Sequence, residues 1–283
     1  MVWPIGQPEG KLYDRAIRSR EIWKELGDDG VFWYEASGSL HLAYSEDELK
    51  VLEEVKGNFN SKRKVHLLNP SQVSEKSKAV VANGLLGGLF SEEELIVDPR
   101  EAIANLPEYF YEKYGVEFNW GKCVSYIADQ TVYVGNEEEY NADIIFICSG
   151  SDFETLYPES FSKYPLTKCK LQMMRLVSQP ANFRIGPALC GGLSLIHYQS
   201  FKTASSLNKL KSRYETEMKQ YLDNGIHVMV SQNGKGELTV GDSHEYGLSP
   251  DPFDKDEIND LIISYLKKFA NFKESLQSNN HKR

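Results

Sequence analysis

The segment Gly241-Asp242-Ser243-His244-Glu245-Tyr246-Gly247 concentrates side chains that can do chemistry. Carboxylates, a hydroxyl, an imidazole and a phenol follow one another at the end of a predicted strand. An imidazole exchanges a proton near neutral pH, and a phenol donates or accepts a hydrogen bond. The segment is therefore a candidate for holding a small polar substrate, and the alternative is a solvated turn.

The other histidines that we considered, His41, His66, His197 and His227, are scattered along the chain. None stands beside another ligand at the short spacing that is usual for a zinc site. For each one alone, a structural histidine with its hydrogen bonds satisfied is the interpretation that we favour. The sequence therefore predicts no metal site.

The four cysteines, Cys123, Cys148, Cys169 and Cys190, are widely spaced and form no CxxC pair. We expect reduced and mostly buried thiols. A catalytic cysteine stays open as an alternative, because one sequence does not reveal the surroundings that stabilise a thiolate.

The motifs of several enzyme classes are absent from the sequence. It contains no GxxxxGK[ST], HExxH or GxSxG, and no complete GxGxxG. Nucleotide hydrolases, metalloproteases and esterases therefore lose their usual support. The partial match Gly234-Lys235-Gly236 lies between two predicted strands, and we interpret it as a turn.

Charge and hydropathy exclude two kinds of partner. The chain has 283 residues and a formal net charge of -9, so its overall field repels nucleic acid and anionic lipid. The longest clean apolar stretch, 144–148, is too short to cross a bilayer, and the N-terminus does not resemble a signal peptide. We predict a cytoplasmic protein without a nucleic-acid or membrane partner.

Hydrophobic periodicity predicts the elements that must position these side chains. The predicted helices cover 11–26, 45–55, 98–114, 206–222 and 254–272. The predicted strands cover 38–44, 65–68, 84–90, 116–120, 122–128, 130–134, 143–149, 165–178, 193–201, 226–232 and 237–243. Asp98 and Pro99 give the clearest helix start, because Asp caps a helix and Pro fits its first turn.

The apolar segment 143–149 has a character of its own. It is continuously apolar and is followed by Gly150, which is typical of a parallel strand buried on both faces. The carboxyl end of such a strand is a candidate ligand site. The three short strands before it predict a meander, and residues 233–236 predict a hairpin turn.

Several segments, spread in order over nearly the whole chain, resemble a known family. They are Met1-Val2-Trp3-Pro4-Ile5-Gly6-Gln7, Gly38-Ser39-Leu40-His41-Leu42-Ala43, Val97-Asp98-Pro99-Arg100, Gly150-Ser151-Asp152-Phe153-Glu154-Thr155-Leu156, Lys170-Leu171-Gln172-Met173-Met174-Arg175 and Gly241-Asp242-Ser243-His244-Glu245-Tyr246-Gly247. Together they resemble the FAD-dependent oxidoreductases of the D-amino-acid oxidase and glycine/sarcosine oxidase superfamily. The closest resemblance is to the branch proposed to act on aminophosphonates.

The resemblance implies a mixed α/β fold in which the central segment of an FAD-binding Rossmann-like domain interleaves with a mixed-sheet substrate domain. It assigns residues 1–29 and 98–164 to the FAD domain and residues 30–97 and 165–272 to the substrate domain. Residues 273–283 form a polar tail.

The resemblance also implies which residues bind FAD and substrate. Val124, in the meander, takes the place of a valine near the adenosine of FAD, and Ser149 and Gly150 take the place of small residues near the dinucleotide. Packing is the alternative role for these three. The side chains implied to face the substrate, for which solvated strand ends are the alternative, are Gln232, His244 and Tyr246, with Arg175 as the anchor for an anionic group.

The sequence departs from the family at both ends. Family members begin with a strand, a GxGxxG turn and a helix that bind the FAD pyrophosphate, and this sequence lacks that unit. It also lacks the glycine-rich segment that closes over the flavin. Relative to the family, we therefore expect a truncated chain.

The function that the resemblance implies is the oxidation of a small amine, amino acid or aminophosphonate by hydride transfer to FAD. The alternative is a truncated, non-catalytic remnant that acts as a binding or association module. A nicotinamide enzyme has less support, because the dinucleotide fingerprint is absent. The sequence does not determine the oligomeric state.

Overall fold

The computed structural model describes residues 1–135 and 138–274. The α-helices of this part are α1 Lys11–Asp28, α2 Glu46–Asn58, α3 Pro70–Lys76, α4 Pro99–Tyr114, α5 Pro158–Phe161, α6 Leu207–Glu217, α7 Lys219–Asp223 and α8 Asp256–Phe269. The strands are β1 Tyr34–Glu35, β2 Ser39–Ala43, β3 Val65–Leu68, β4 Gly87–Ser91, β5 Ile96–Val97, β6 Val124–Ala128, β7 Thr131–Val134, β8 Glu138–Asn141, β9 Lys168–Leu176, β10 Ala188–Cys190, β11 Met229–Gln232 and β12 Leu238–Gly247. This order of elements confirms the predicted mixed α/β fold class.

The described chain forms two compact units. The first contains residues 1–106, 170–245 and 251–274, and the second contains residues 107–169 and 246–250. The division into FAD-domain and substrate-domain segments remains a prediction. Of the predicted polar tail, only Lys273 and Glu274 are described, and their backbone N–H groups donate to Gln179 Oε1.

The first unit is built on a seven-stranded sheet with the strand order β3-β4-β2-β10-β11-β12-β9. Strands β2 and β10 run parallel, with Leu40 opposite Leu189. The pairs β2–β4, β3–β4, β10–β11 and β11–β12 are antiparallel. The sheet is therefore mixed, as expected, and a separate two-stranded pair joins β1 to β5.

The two faces of this sheet are covered differently. One face carries Leu40, Leu189, Val230 and Val240, all buried in a core with apolar residues of α2, α6 and α8. Because side chains alternate along a strand, residues such as His41 point to the opposite face. Short 3₁₀ helices contribute to the packing on that face, at Pro4–Gly6, Gly192–Ile196 and Gln199–Thr203.

The turn between β11 and β12 confirms the predicted hairpin at residues 233–236. The backbone N–H of Asn233 donates to Glu237 O at 3.0 Å, and Gln232 pairs with Leu238. Gly236 has φ 82°, in the left-handed region where glycine carries no steric penalty. The glycine in this position therefore lets the chain reverse tightly.

The second unit contains an antiparallel sheet of β6, β7 and β8. The predicted meander is confirmed, but its strands are shifted along the chain. Residues 116–120 form no strand, whereas Glu138–Asn141 pairs with β7. That strand reads Glu-Glu-Tyr-Asn, which has no apolar alternation, so periodicity did not reveal it.

Two further predicted strands are wrong. Residues 143–149 form irregular chain with Ile144 71% and Phe146 83% exposed, because no described strand pairs with them. A buried parallel strand requires neighbours as well as apolar residues. Within 193–201 the chain instead forms the two later 3₁₀ helices, and the strand of this region is β10, Ala188–Cys190.

The prediction of mostly buried cysteines is also wrong. Cys123, Cys148 and Cys169 are exposed, and Cys190 is buried. The exposed three belong to the second unit, in which much of the described surface is open to solvent.

No helix among the described residues is both long enough and apolar enough to cross a membrane.

Candidate functional site

Sequence segments that lie far apart along the chain meet on one face of the first unit. They bring together a set of rings that we name the ring cluster, and its members are Trp3, His41, His197, Tyr198, Phe201, His227 and His244. The indole of Trp3 lies 5.8 Å from the His41 ring and 6.0 Å from the Tyr198 ring. Three of the segments that carry the family resemblance, around Trp3, His41 and His244, therefore converge here.

Three histidines form one end of the ring cluster. The ring of His197 lies 3.9 Å from that of His227 and 4.9 Å from that of His244. One nitrogen from each ring lies within 4.8 Å of the others. These residues are scattered along the sequence, and the chain folds them together from positions that share no short spacing.

Backbone pairing positions His227 beside Asp242. The backbone N–H of Asp242 donates to His227 O at 2.8 Å, and the N–H of His227 donates back at 3.2 Å. The pairing also brings His227 Nε2 within 3.2 Å of Asp242 Oδ1, although these atoms are not aligned as a hydrogen bond. A buried imidazole and a buried carboxylate therefore lie side by side, just before the start of β11.

His244 is held by the loop that precedes β11. Its Nδ1 lies 2.8 Å from Gly225 O, and because a carbonyl only accepts, Nδ1 carries the hydrogen. A Cβ on Gly225 would lie 2.8 Å from the His244 Cβ and 2.9 Å from its backbone O. Gly225 also has φ 58°, so glycine is required for this close approach.

Burial shifts the pKa values in the ring cluster. It lowers the pKa of His41 to about 3, and together with nearby His244 it lowers the pKa of His197 to about 4. The pKa of His227 lies well below its usual value for the same reason, with His197 and His244 adding to the effect. Burial raises the pKa of Asp242 to about 6, although His244 opposes this rise. The rings of His41, His197 and His227 are therefore neutral at pH 7.

Several buried polar atoms of this region have no hydrogen-bond partner among the described residues. They are Trp3 Nε1, both ring nitrogens of His41, His227 Nδ1 and Asp242 Oδ1. The interpretation of His41 and His227 as satisfied structural histidines is therefore wrong. A buried polar atom without a partner costs free energy, and a concentration of such atoms marks a functional candidate.

A second group of polar residues lies at the opposite end of β12, and we name it the hairpin network: Asp98, Arg175, Asn233 and Glu237. Asn233 Nδ2 donates to Asp98 Oδ2 and to Glu237 Oε2, both at 2.9 Å. The Arg175 guanidinium lies 3.4 Å from Asp98 Oδ2 and 3.0 Å from Glu237 Oε2. Its charge is therefore compensated by two carboxylates.

Asp98 is the centre of this network. Its Oδ1 accepts from Arg100 N at 3.1 Å, as predicted for the residue that caps α4. Burial raises the pKa of Asp98, but hydrogen bonds from Asn233 and Arg100 and the charge of Arg175 outweigh it, so the pKa lies below its usual value.

Arg175 and Gln232, both predicted to contact the substrate, have partners within the protein. Arg175 already binds two carboxylates, with which an anionic substrate group would have to compete. Gln232 is buried, its Oε1 accepts from Ile185 N at 3.0 Å, and its Nε2 donates to Phe183 O and Gly236 O at 3.1 Å. The side chain therefore ties the hairpin to a neighbouring loop, and its predicted contact with the substrate stays a prediction.

The two polar groups are too far apart to share a small substrate. Glu237 precedes β12, and His244 lies near its end. At the rise of an extended strand this separation is roughly 20 Å. The structure therefore places Arg175 and His244, which were predicted to hold one substrate, at different ends of the sheet.

The remaining predicted site residues belong to the second unit. Tyr246 is 64% exposed. Val124 is half-buried on β6, Ser149 is half-buried, and Gly150 is exposed with φ 65°. Their predicted roles toward substrate and FAD are untested by these positions.

Sequence reasoning missed His197, His227 and Asp242. Asp242 stood inside a segment already singled out, so its proximity to His244 gave a signal. His197 and His227 gave none beyond their residue type, because only the pairing of β10, β11 and β12 brings them together.

Comparisons with solved structures give the fold. The L-proline dehydrogenase of P. horikoshii superposes with a TM-score of 0.68 at 15% identity, over 95% of this chain and 67% of that chain. The glycine oxidase of Bacillus cereus ATCC 14579 gives 0.65 at 15% identity, over 97% and 70%. The glycine oxidase of Geobacillus kaustophilus gives 0.68 at 14% identity, over 95% and 66%. At these identities the likeness is one of fold.

Comparisons of sequence give the family. No curated protein sequence matches this chain significantly. The sequence profile described as FAD dependent oxidoreductase, DAO, matches residues 1–277, which is nearly the whole chain. The chain therefore belongs to the DAO family of FAD-dependent oxidoreductases.

Proposed function

We propose that this chain oxidises the C–N bond of a small amine, with an amino acid or aminophosphonate as the substrate class. The observation that carries this proposal is the family match over residues 1–277. The proteins of similar fold include a glycine oxidase and an L-proline dehydrogenase, whose names denote amino acids. The aminophosphonate part rests on the sequence resemblance alone.

The residues proposed to hold FAD are Val124, Ser149 and Gly150. A fit is supported by Gly150, whose φ of 65° and open surroundings, with no atom within 4 Å of an added Cβ, leave the backbone accessible. Accessible backbone N–H groups let a bulky dinucleotide approach closely. When bound, FAD accepts the hydride from the substrate.

The protein's part in this reaction is to orient the amine and keep it unprotonated. We propose that His244 does so, because its Nδ1–H bond to Gly225 O fixes the ring and directs Nε2 away from that carbonyl. The apolar side chain of Met229, whose sulfur accepts from Tyr198 Oη at 3.2 Å, would help to exclude water from the substrate carbon. We propose Tyr246 as a further substrate contact from the resemblance alone.

The test begins with flavin retention by the full chain. The purified protein is mixed with FAD, passed through gel filtration, and its visible absorption spectrum is recorded. We expect flavin to co-elute with the protein. A folded chain that retains none would contradict the proposal and favour the binding or association module.

The substrate class is tested on the flavin-loaded protein without oxygen. Glycine, L-proline and 2-aminoethylphosphonate are added separately, and loss of the flavin absorbance reports reduction. We expect at least one of them to reduce the flavin, and His244→Gln to weaken its apparent affinity about tenfold. His66→Gln is the matched control, since His66 is an exposed histidine paired with Glu92 outside the ring cluster. Equal effects of the two substitutions would refute the role of His244.

A further inference from the structure

We infer that His197, His227 and His244, with Asp242 beside them, form a binding site for one divalent transition-metal ion. Imidazole nitrogens suit Zn²⁺, Ni²⁺, Cu²⁺ and Co²⁺, and a set of three histidines leaves a further position for a carboxylate or a water. One nitrogen of each ring lies within 4.8 Å of the others. Nothing in the family match requires this site.

His227 has the arrangement of a buried metal ligand. Its Nε2 lies 3.2 Å from Asp242 Oδ1, although the two atoms are not aligned as a hydrogen bond, and its Nδ1 is buried without a hydrogen-bond partner among the described residues. Metal-binding histidines commonly present one nitrogen to the metal while a carboxylate orients the other. His227 is only 4% exposed, so a metal would satisfy an atom that water does not reach freely.

His244 has the second common form of the same arrangement. Its Nδ1–H donates to the Gly225 carbonyl at 2.8 Å, and this bond fixes both the tautomer and the orientation of the ring. Nε2 is then the nitrogen that carries the lone pair. Gly225, which tolerates no Cβ beside His244, keeps this histidine close to the loop.

His197 completes the set from the solvent side. It is the exposed member of the three, so it provides both an entry path and the freedom to move. In a tetrahedral site the nitrogens stand about 3.3 Å apart, so the present spacing must contract by roughly 1.5 Å. The 3₁₀ helix Gly192–Ile196 ends immediately before His197, so this exposed side chain can rotate toward the other two without moving a strand.

Asp242 supplies the negative charge that the site requires. It is 8% exposed, and its Oδ1 has no hydrogen-bond partner among the described residues. A divalent cation beside it would offset the cost of burying that carboxylate. Because the site includes His244, a bound metal would compete with the amine proposed to contact this residue.

The test measures metal binding by the full chain, free of any added affinity tag, and needs no activity. Co²⁺ is titrated into the protein while the visible d–d absorption is recorded, and Zn²⁺ is then added as a competitor. We expect a single Co²⁺ per chain, bound with a dissociation constant of about 10 µM or tighter and displaced by Zn²⁺. No visible band up to about 1 mM Co²⁺ would overturn the proposal.

Variants separate this site from adventitious binding. His197→Ala removes an exposed ligand without disturbing the core, and we expect it to weaken Co²⁺ binding at least about tenfold. His66→Ala, which removes a comparably exposed histidine elsewhere, should bind as the unaltered chain does. Undiminished binding in His197→Ala, or an intense thiolate-to-cobalt band from the exposed cysteines, would overturn the assignment. Circular dichroism confirms that each variant is folded.

Discussion

The two ends of the β11–β12 hairpin region treat buried polar groups in opposite ways. In the hairpin network, Asp98, Arg175 and Glu237 are compensated, and Asn233 bridges the two carboxylates. In the ring cluster, by contrast, the Nδ1 of His227 lacks a hydrogen-bond partner among the described residues.

This difference distinguishes polar residues that stabilise the fold from polar residues that are candidates for binding a ligand. A compensated network stabilises the chain, whereas unpartnered polar atoms cost stability and persist where they do something else. From its residue type, Arg175 is predicted to anchor an anionic group of the substrate, because a guanidinium suits such a group. Its two carboxylate neighbours compensate the charge that such an anchor would use.

The largest expected effect comes from breaking the compensated end. Asp98→Ala removes the helix cap of α4 and leaves Arg175 and Asn233 each without one buried partner. We expect the free energy of unfolding at pH 7 to fall by about 3 kcal/mol. Urea unfolding followed by circular dichroism measures it.

Acidification provides the control for Asp98. Because its folded pKa is lowered, its stabilising contribution is full above the ordinary value of 3.8 and is lost as the pH falls through the folded pKa. The stability of the two proteins should therefore converge in strong acid. A constant difference at every pH would show that the ionised carboxylate contributes nothing.

The next effect tests whether Gln232 belongs to the compensated end. Gln232→Ala leaves Ile185 N, Phe183 O and Gly236 O without their side-chain partner. We expect a loss of about 2 kcal/mol in the free energy of unfolding, with flavin reduction by the amine unchanged. If amine affinity changed while stability did not, Gln232 would be a substrate contact after all.

An effect of similar size, but dependent on pH, is expected in the ring cluster. The pKa of buried His41 is lowered to about 3, so its contribution to stability is full above the ordinary value of 6.5 and declines as the pH falls toward 3. Between pH 7 and pH 5 this single group accounts for about 2 kcal/mol. His41→Leu should remove that part of the pH dependence.

The same substitution should cost little at pH 8, because both ring nitrogens of His41 lack partners. We expect a change below about 1 kcal/mol there. The exposed residue His66 again provides the comparison, since His66→Leu should leave the pH dependence between 7 and 5 nearly intact. Identical pH profiles for the His41 variant and the unaltered chain would contradict the interpretation.

The smallest effect is expected at the exposed rim of the hairpin. Lys235 is 68% exposed and lies 3.0 Å from Glu101 Oε1, so solvent screens the pair. Lys235→Ala should change the free energy of unfolding by less than about 0.5 kcal/mol. A loss comparable with that of Asp98→Ala would show that exposure, and not burial, governs the strength of these contacts.

Local signals predicted the elements well where a residue's conformation is decided by its neighbours. Asp98 and Pro99 located the start of α4, and Asn233-Gly234-Lys235-Gly236 located the hairpin. The strand predicted at 143–149 is wrong because an apolar run favours burial but does not supply a neighbouring strand, and no described strand pairs with it.

The candidate site depended on pairing between distant segments. His244 was recognised from its own motif, whereas His197 and His227 join it only through the order of β10, β11 and β12. A sequence states which side chains exist but not which of them a sheet brings into register. The ring cluster could therefore be recognised only from the fold.

The position of Trp3 gives the molecule an optical readout. Its indole lies 5.8 Å from the ring of His41 and 6.0 Å from the ring of Tyr198. A protonated imidazole or a nearby paramagnetic ion quenches indole fluorescence at such a distance, whereas neutral rings quench far less. The emission of Trp3, isolated by replacing Trp23, Trp33 and Trp120 with phenylalanine, would therefore report the charge state of the ring cluster in the intact protein.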